Sequence, residues 1–115
     1  MLPGSSVSAD ALAWNDHTSF KGVSLKHLVR GEKTEGKYSC HLVRVRAGHE
    51  IGDHMHEGRW ESHQVIEGDG TLTLGDRKVE YVPGVTAVIP EGLKHKVIAG
   101  DTDLYLLATF VPALL

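Results

Sequence analysis

Apolar residues in this chain recur mostly at every second position, in short runs broken by glycine, proline and acidic turns. A period of two puts one set of side chains on one face of a strand, whereas a helix needs a spacing of three to four. "GVSLKHLV" (22–29) and "YSCHLVRVRA" (38–47) alternate in this way, with "RGEKTEG" between them as a loop. "ESHQVIE" (61–67) reads as a further strand, which "GDG" (68–70) ends. "TLTL" and "KVEYV" flank "GDR", a hairpin signal. After the turn at Pro83-Gly84, "VTAVI" (85–89) has the continuous apolar character of a buried strand. "KHKVIA" (94–99), the turn "GDTD" and "LYLLATFV" (104–111) complete the set, and only Ser8–Trp14 suits a helical turn. There is no repeat, linker or low-complexity segment. Strands this short and this regularly punctuated predict an all-β sandwich or barrel rather than βαβ units.

Composition narrows the partners. A chain of 115 residues suits one domain with its own core. The net charge is −3 and the 12 Lys and Arg are scattered, so neither a nucleic-acid stripe nor a membrane-binding basic run is present. "MLPGSSVSADALAW" lacks the charged and apolar regions of a secretion signal. "LYLLATFVPALL" is too short to span a bilayer and contains a proline. Cys40, the single cysteine, excludes an internal disulfide and suits a reducing compartment. The expected location is cytoplasmic. The one anomaly is eight histidines.

Four of them fall in "GHEIGDHMHEGRWESHQVIEG" (48–68). At strand spacing His54 and His56 share a face, and so do Glu61 and His63. If "EGRW" returns the chain as a hairpin, all four converge. Two imidazoles and a carboxylate suit one divalent ion per chain: Zn, Mn, Fe, Ni or Cu. A fourth ligand must come from elsewhere. His95 is the best placed, because it follows "IPEG" and begins a new strand. The competing reading makes these histidines the polar face of a strand; the pairing of His54 and His56 with Glu61 between glycines argues against it.

These residues resemble the cupin superfamily. Its first motif is met by Gly48, His54, His56, Glu61 and Gly68, and its second by Gly84, Pro90, Gly92 and His95, with Ala99 where the second motif ends in Asn. The resemblance covers about 38–111, and "W…FKGVSLKHL" is more weakly similar to cupins of the anti-sigma-factor and acetylacetone-dioxygenase type. It implies an antiparallel jelly-roll β-barrel spanning 1–115 as a single domain, with 1–37 packing on the barrel or on a partner subunit, and usually a homodimer. It also implies His54, His56, Glu61 and His95 as metal ligands. His63 stands where the family usually has an apolar or aromatic residue. It is a candidate general acid or base, a replacement ligand for Glu61, or a pocket residue bonded to a neighbour.

Other side chains carry plainer expectations. His41 is expected to face outward, with pocket lining as the alternative, and His17, His27 and His49 to meet solvent. Trp14, Phe20 and Tyr105 are expected in the core or at a subunit contact, Cys40 as a buried inert thiol, and Arg59 at the surface or facing an anionic substrate. No nucleophile–base pair stands out. The function expected is an enzyme using a mononuclear metal on a small polar or carbonyl-bearing substrate, of oxygenase, lyase or isomerase type. The alternative is a non-catalytic module that senses or binds a small ligand or metal.

Overall fold

The computed structural model describes residues 4–115, and in it the period-two pattern becomes ten strands. They are β1 (Asn15–Asp16), β2 (Val23–Val29), β3 (Ser39–Val45), β4 (Glu50–His54), β5 (Trp60–Glu67), β6 (Gly70–Leu74), β7 (Arg77–Tyr81), β8 (Thr86–Ile89), β9 (His95–Ala99) and β10 (Leu104–Val111). Short 3-10 turns sit at Ala9–Ala11, inside the segment expected to hold a helical turn, and at Gly31–Lys33. No helix among the described residues is long and apolar enough to cross a membrane.

The strands form two antiparallel sheets, ordered β1-β2-β3-β10-β5-β8 and β4-β9-β6-β7. Consecutive strands repeatedly change sheet, which is the jelly-roll arrangement expected. Hydrogen bonding is split between the two sheets rather than running continuously around a ring. The inner faces meet in one core. Val23, Val43, Val45, Leu104 and Leu106 come from the large sheet, and Leu72, Tyr81, Val97 and Ala99 from the small one. Burial of this apolar surface is the main term holding the sheets together.

Local chemistry sets the turns. Leu74 pairs with Arg77, so β6 and β7 are joined by Gly75-Asp76 alone. Gly75 has φ +57°, the positive first position that a II′ hairpin turn demands. The expected hairpin at "EGRW" does not form. β4 pairs with β9 in the small sheet, while β5 lies between β10 and β8 in the large one. Residues 55–59 therefore cross from one sheet to the other, and local alternation carries no sign of that crossing.

The leading segment packs across the outer face of the large sheet. The Lys26 ammonium donates to the Ala9 carbonyl at 2.8 Å. The Lys26 ammonium and the Arg44 guanidinium lie over the Trp14 ring, 4.9 and 4.2 Å from its centre, and the ring tilts against Tyr105. Phe20 is half-buried against the core, as expected. Cys40 is only half-buried, and the Thr109 hydroxyl approaches its sulfur at 3.6 Å.

Candidate metal centre

Four side chains from both sheets meet inside the barrel. His54 ends β4, His95 begins β9, Glu61 lies near the start of β5, and His56 is in the crossing between β4 and β5. One donor atom from each of His54, His56, Glu61 and His95 lies within 4.8 Å of the others. Glu61 and His95 are buried, and His54 and His56 half-buried.

A register shift aims His54. Ile51 pairs with Val97 but His54 pairs with His95, so β4 carries one residue more than β9 in this interval. Strict alternation from the inward Ile51 would turn His54 outward. The bulge turns it back onto the face of His95, as bulges beside sites do. The two rings lie 4.1 Å apart.

Two of the imidazoles are preset to offer Nε2. The Nδ1–H of His54 donates to the Gly52 carbonyl at 2.7 Å, and that of His95 to the Leu93 carbonyl at 2.9 Å. A neutral ring with a proton on Nδ1 keeps its lone pair on Nε2, which is how a ligating histidine is usually held. Glu61 Oε1 lies 3.2 Å from His95 Nε2 and 3.7 Å from His56 Nε2. The closer pair is not aligned for a hydrogen bond, and both Glu61 Oε1 and His95 Nε2 are buried without a hydrogen-bond partner. Orphaned buried polar atoms are costly, and an ion bound among them would satisfy both. The donor set, three imidazoles and one carboxylate, suits a borderline divalent metal. This cluster could hold one ion.

Electrostatics follow from burial and from Glu61. Burial lowers His54 and His56, and the Gly52 carbonyl and the Glu61 charge only partly oppose it. Burial pushes Glu61 up, but the imidazoles of His63 and His95 outweigh it and hold the carboxyl well below the usual range. Burial also acts against protonated His95, yet Glu61 and the Leu93 carbonyl raise it.

His63 faces inward beside the cluster. Its Nε2 lies 2.7 Å from Glu61 Oε2, and its Nδ1 2.9 Å from the hydroxyl of Tyr81, which reaches across from β7 in the opposite sheet. Sequence reasoning missed Tyr81, because nothing local couples residue 81 to residue 63. The cavity in front of the donors measures about 80 Å³. Apart from the donors and His63, its walls are mostly apolar, including Leu25, Ile51, Leu106, Phe110 and Leu114. A roomier cavity of about 260 Å³ opens between Leu12, His27, Arg30 and Lys33. It holds none of the four donors, so the smaller one is the cavity of the candidate site.

Several histidines depart from expectation. His41 is fully buried on the inner face, not outward, because it shares the face of Val43 and Val45. Its Nδ1 lies 2.8 Å from Nδ1 of His27, which is half-buried rather than solvated. His17 is half-buried and lines the small cavity, its Nδ1 accepting from the backbone N–H groups of Ser19 and Phe20. Arg59 donates to the Ala113 carbonyl at 3.0 Å, tying the β4–β5 crossing to the C-terminal segment.

The Cupin domain family, Cupin_2, matches residues 41–110, more than half of the chain. The chain belongs to the cupin family. A search of curated proteins finds no match. Among solved structures this cupin is similar to KdgF from Halomonas sp., at 22% identity and a TM-score of 0.83, with 94% of each chain covered. It is similar to a predicted oxalate decarboxylase from Thermotoga maritima, at 23% identity and a TM-score of 0.87, covering 94% of this chain and 99% of that one. It is also similar to ectoine synthase from P. lautus, at 19% identity and a TM-score of 0.82, covering 94% and 78%. At these identities the likeness shows the fold. A cupin barrel hosts many chemistries, so function is argued from the site.

Proposed function

We propose that this cupin is an enzyme that holds one divalent ion on His54, His56, Glu61 and His95 and acts on a small polar or carbonyl-bearing substrate, by oxygenase, lyase or isomerase chemistry. The observation that carries this reading is the pair of buried atoms without a hydrogen-bond partner, Glu61 Oε1 and His95 Nε2, which lie among four donors. When bound, such an ion supplies a Lewis acid that draws charge from substrate oxygens. The chain's own residues do the rest. The Gly52 and Leu93 carbonyls hold His54 and His95 in the tautomer that presents Nε2. The apolar cavity wall limits water and restricts the substrate to a few heavy atoms, given about 80 Å³ of space. His63 is the group that holds or moves a proton, its Nε2 resting on Glu61 Oε2.

A second reading, a non-catalytic module that binds a small ligand or metal, is supported by one observation. Both ring nitrogens of His63 are already engaged, which leaves it poorly placed to exchange a proton directly with a substrate. Reconstitution with Fe(II), Mn(II), Zn(II), Ni(II) or Cu(II), followed by metal analysis and by oxygen uptake with small diketones and phenols, separates the two. Turnover supports the enzyme. Tight binding of a small acid with no turnover on any metal supports the module. Failure to retain an ion, or equal retention by the His54→Ala, His56→Ala double variant, removes the proposed site altogether.

The proposal extends to a cytoplasmic homodimer. Cys40 as a free thiol supports the location. The exposed outer-face residues Trp60, Val88 and Val111, from the neighbouring strands β5, β8 and β10, support self-association. Light scattering is expected to give twice the 12.5-kDa chain mass.

A further inference from the structure

Tyr81 is fully buried in β7, and among the described residues its hydroxyl reaches only His63 Nδ1, at 2.9 Å. His63 Nε2 stands 2.7 Å from Glu61 Oε2. In the neutral ring these two contacts fix every proton between them. A carboxylate only accepts, so the atom facing Oε2 at this distance is an N–H. Nδ1 is then an acceptor, and the tyrosine hydroxyl donates to it. In the opposite arrangement Nδ1 carries the proton, the Nε2 lone pair faces the carboxylate, and the tyrosine proton has no partner in a dry core. Each such fault leaves a buried polar group unpaired, so the first arrangement dominates.

From this chain of bonds we propose that Tyr81 is a positioning residue of the donor cluster. By donating to His63 Nδ1 it holds the ring so that Nε2–H stays on Glu61 Oε2. Glu61 is thereby left with Oε1 alone to offer an ion. The contact spans the two sheets, since β7 belongs to the small sheet and β5 to the large one. It therefore also fixes the height of Glu61 relative to His54 and His95, which stand on the small sheet. Without the hydroxyl, Nδ1 is a buried acceptor lacking a partner, and the ring relieves this by turning. Turning frees Oε2 and lets the carboxylate rotate. The inference rests on the proposed metal reading for its consequence, though not for its proton assignment.

Two measurements test it. The first needs no metal. Nitrogen-15 shifts of the His63 ring in the metal-free protein are expected to show a protonated Nε2 and a hydrogen-bonded, unprotonated Nδ1, with the Nδ1 signal displaced in Tyr81→Phe. A proton on Nδ1 in the parent protein, or an unmoved signal in the variant, overturns the proposal. The second uses Co(II), whose visible absorption reports its coordination. Tyr81→Phe keeps the ring and is expected to weaken Co(II) binding about tenfold, the lower end for a residue outside the ligand sphere, with an altered spectrum. In a His63→Ala background the same change is expected to do nothing further, because the effect travels through His63. An equal loss in both backgrounds means a merely structural role and overturns the proposal. If the parent binds no Co(II) while the nitrogen shifts are as expected, the metal reading has failed and the proton assignment has not.

Discussion

His41 shows how much one buried side chain decides. Its ring is fully buried, with Nε2 2.9 Å from the Ser39 hydroxyl and Nδ1 2.8 Å from His27 Nδ1. Burial, with the nearby His27 and Arg30, lowers its pKa to about 4 against weak opposition from Glu61. A histidine whose folded value lies below its ordinary 6.5 favours the fold in its neutral form. Its contribution is complete above pH 6.5 and is lost as pH falls from 6.5 towards 4, where the unfolded chain binds the extra proton. The full loss is on the order of 3 kcal/mol, from about 1.4 kcal/mol per pH unit. Urea denaturation at pH 7 and pH 4.5 is expected to show a steeper loss for the parent than for His41→Leu. Ring signals of His41 are expected to remain those of a neutral imidazole at pH 5. Parallel pH slopes for the two proteins, or titration of His41 near 6.5, rule this account out. The inward face of His41 was legible in the alternation with Val43 and Val45. The intervening Cys40 and Leu42, both apolar, hid it.

At the scale of elements, the glycines of the two motifs explain themselves in backbone terms. Gly48, Gly68, Gly84 and Gly92 all have positive φ, between +74° and +93° where each turn reverses the chain. Gly68 carries a second constraint: a Cβ there would strike the Asp103 carbonyl oxygen, whereas one at Gly48 would meet open space. Gly48→Ala should therefore cost only the left-handed strain, about 1–2 kcal/mol. Gly68→Ala adds a clash with backbone that cannot swing away, for a total of about 2–4 kcal/mol. Chemical denaturation of the two variants checks the order, and equal losses would mean that the Gly68 contact relaxes. Turns and strands were thus readable from glycine, proline and period-two alternation. Apart from the β6–β7 hairpin, the partner of each strand was not. Pairing of β4 with β9 and of β5 with β10 and β8 is decided by burial across the whole barrel. The one-residue bulge that turns His54 inward likewise has no signal within "GHEIGDH".

For the molecule as a whole, the donor cluster doubles as a clasp between sheets. His54 and His95 stand on the small sheet and Glu61 on the large one, so an ion held by all four side chains binds the folded barrel and not the open chain. The spacing of His54, His56, Glu61 and His95 was visible in the sequence because the motifs write it out. The tie from Tyr81 through His63 was not, since it depends on two strands facing each other across the core. Binding confined to the folded state stabilises it by RT ln(1 + [L]/Kd), about 2.7 kcal/mol at a hundredfold excess over Kd. For a chain of this size that corresponds to a rise of roughly 10 °C in melting temperature. Calorimetry with and without Zn(II) is expected to show this rise in the parent and none in the His54→Ala, His56→Ala double variant. A clasp makes a sharper demand than a ligand on one sheet. Amide exchange should slow by about the same hundredfold in β9 and in β10, the centre of the large sheet, where exchange requires global opening. Protection that rises in β4 and β9 alone would place the ion on the small sheet, with Glu61 outside its coordination.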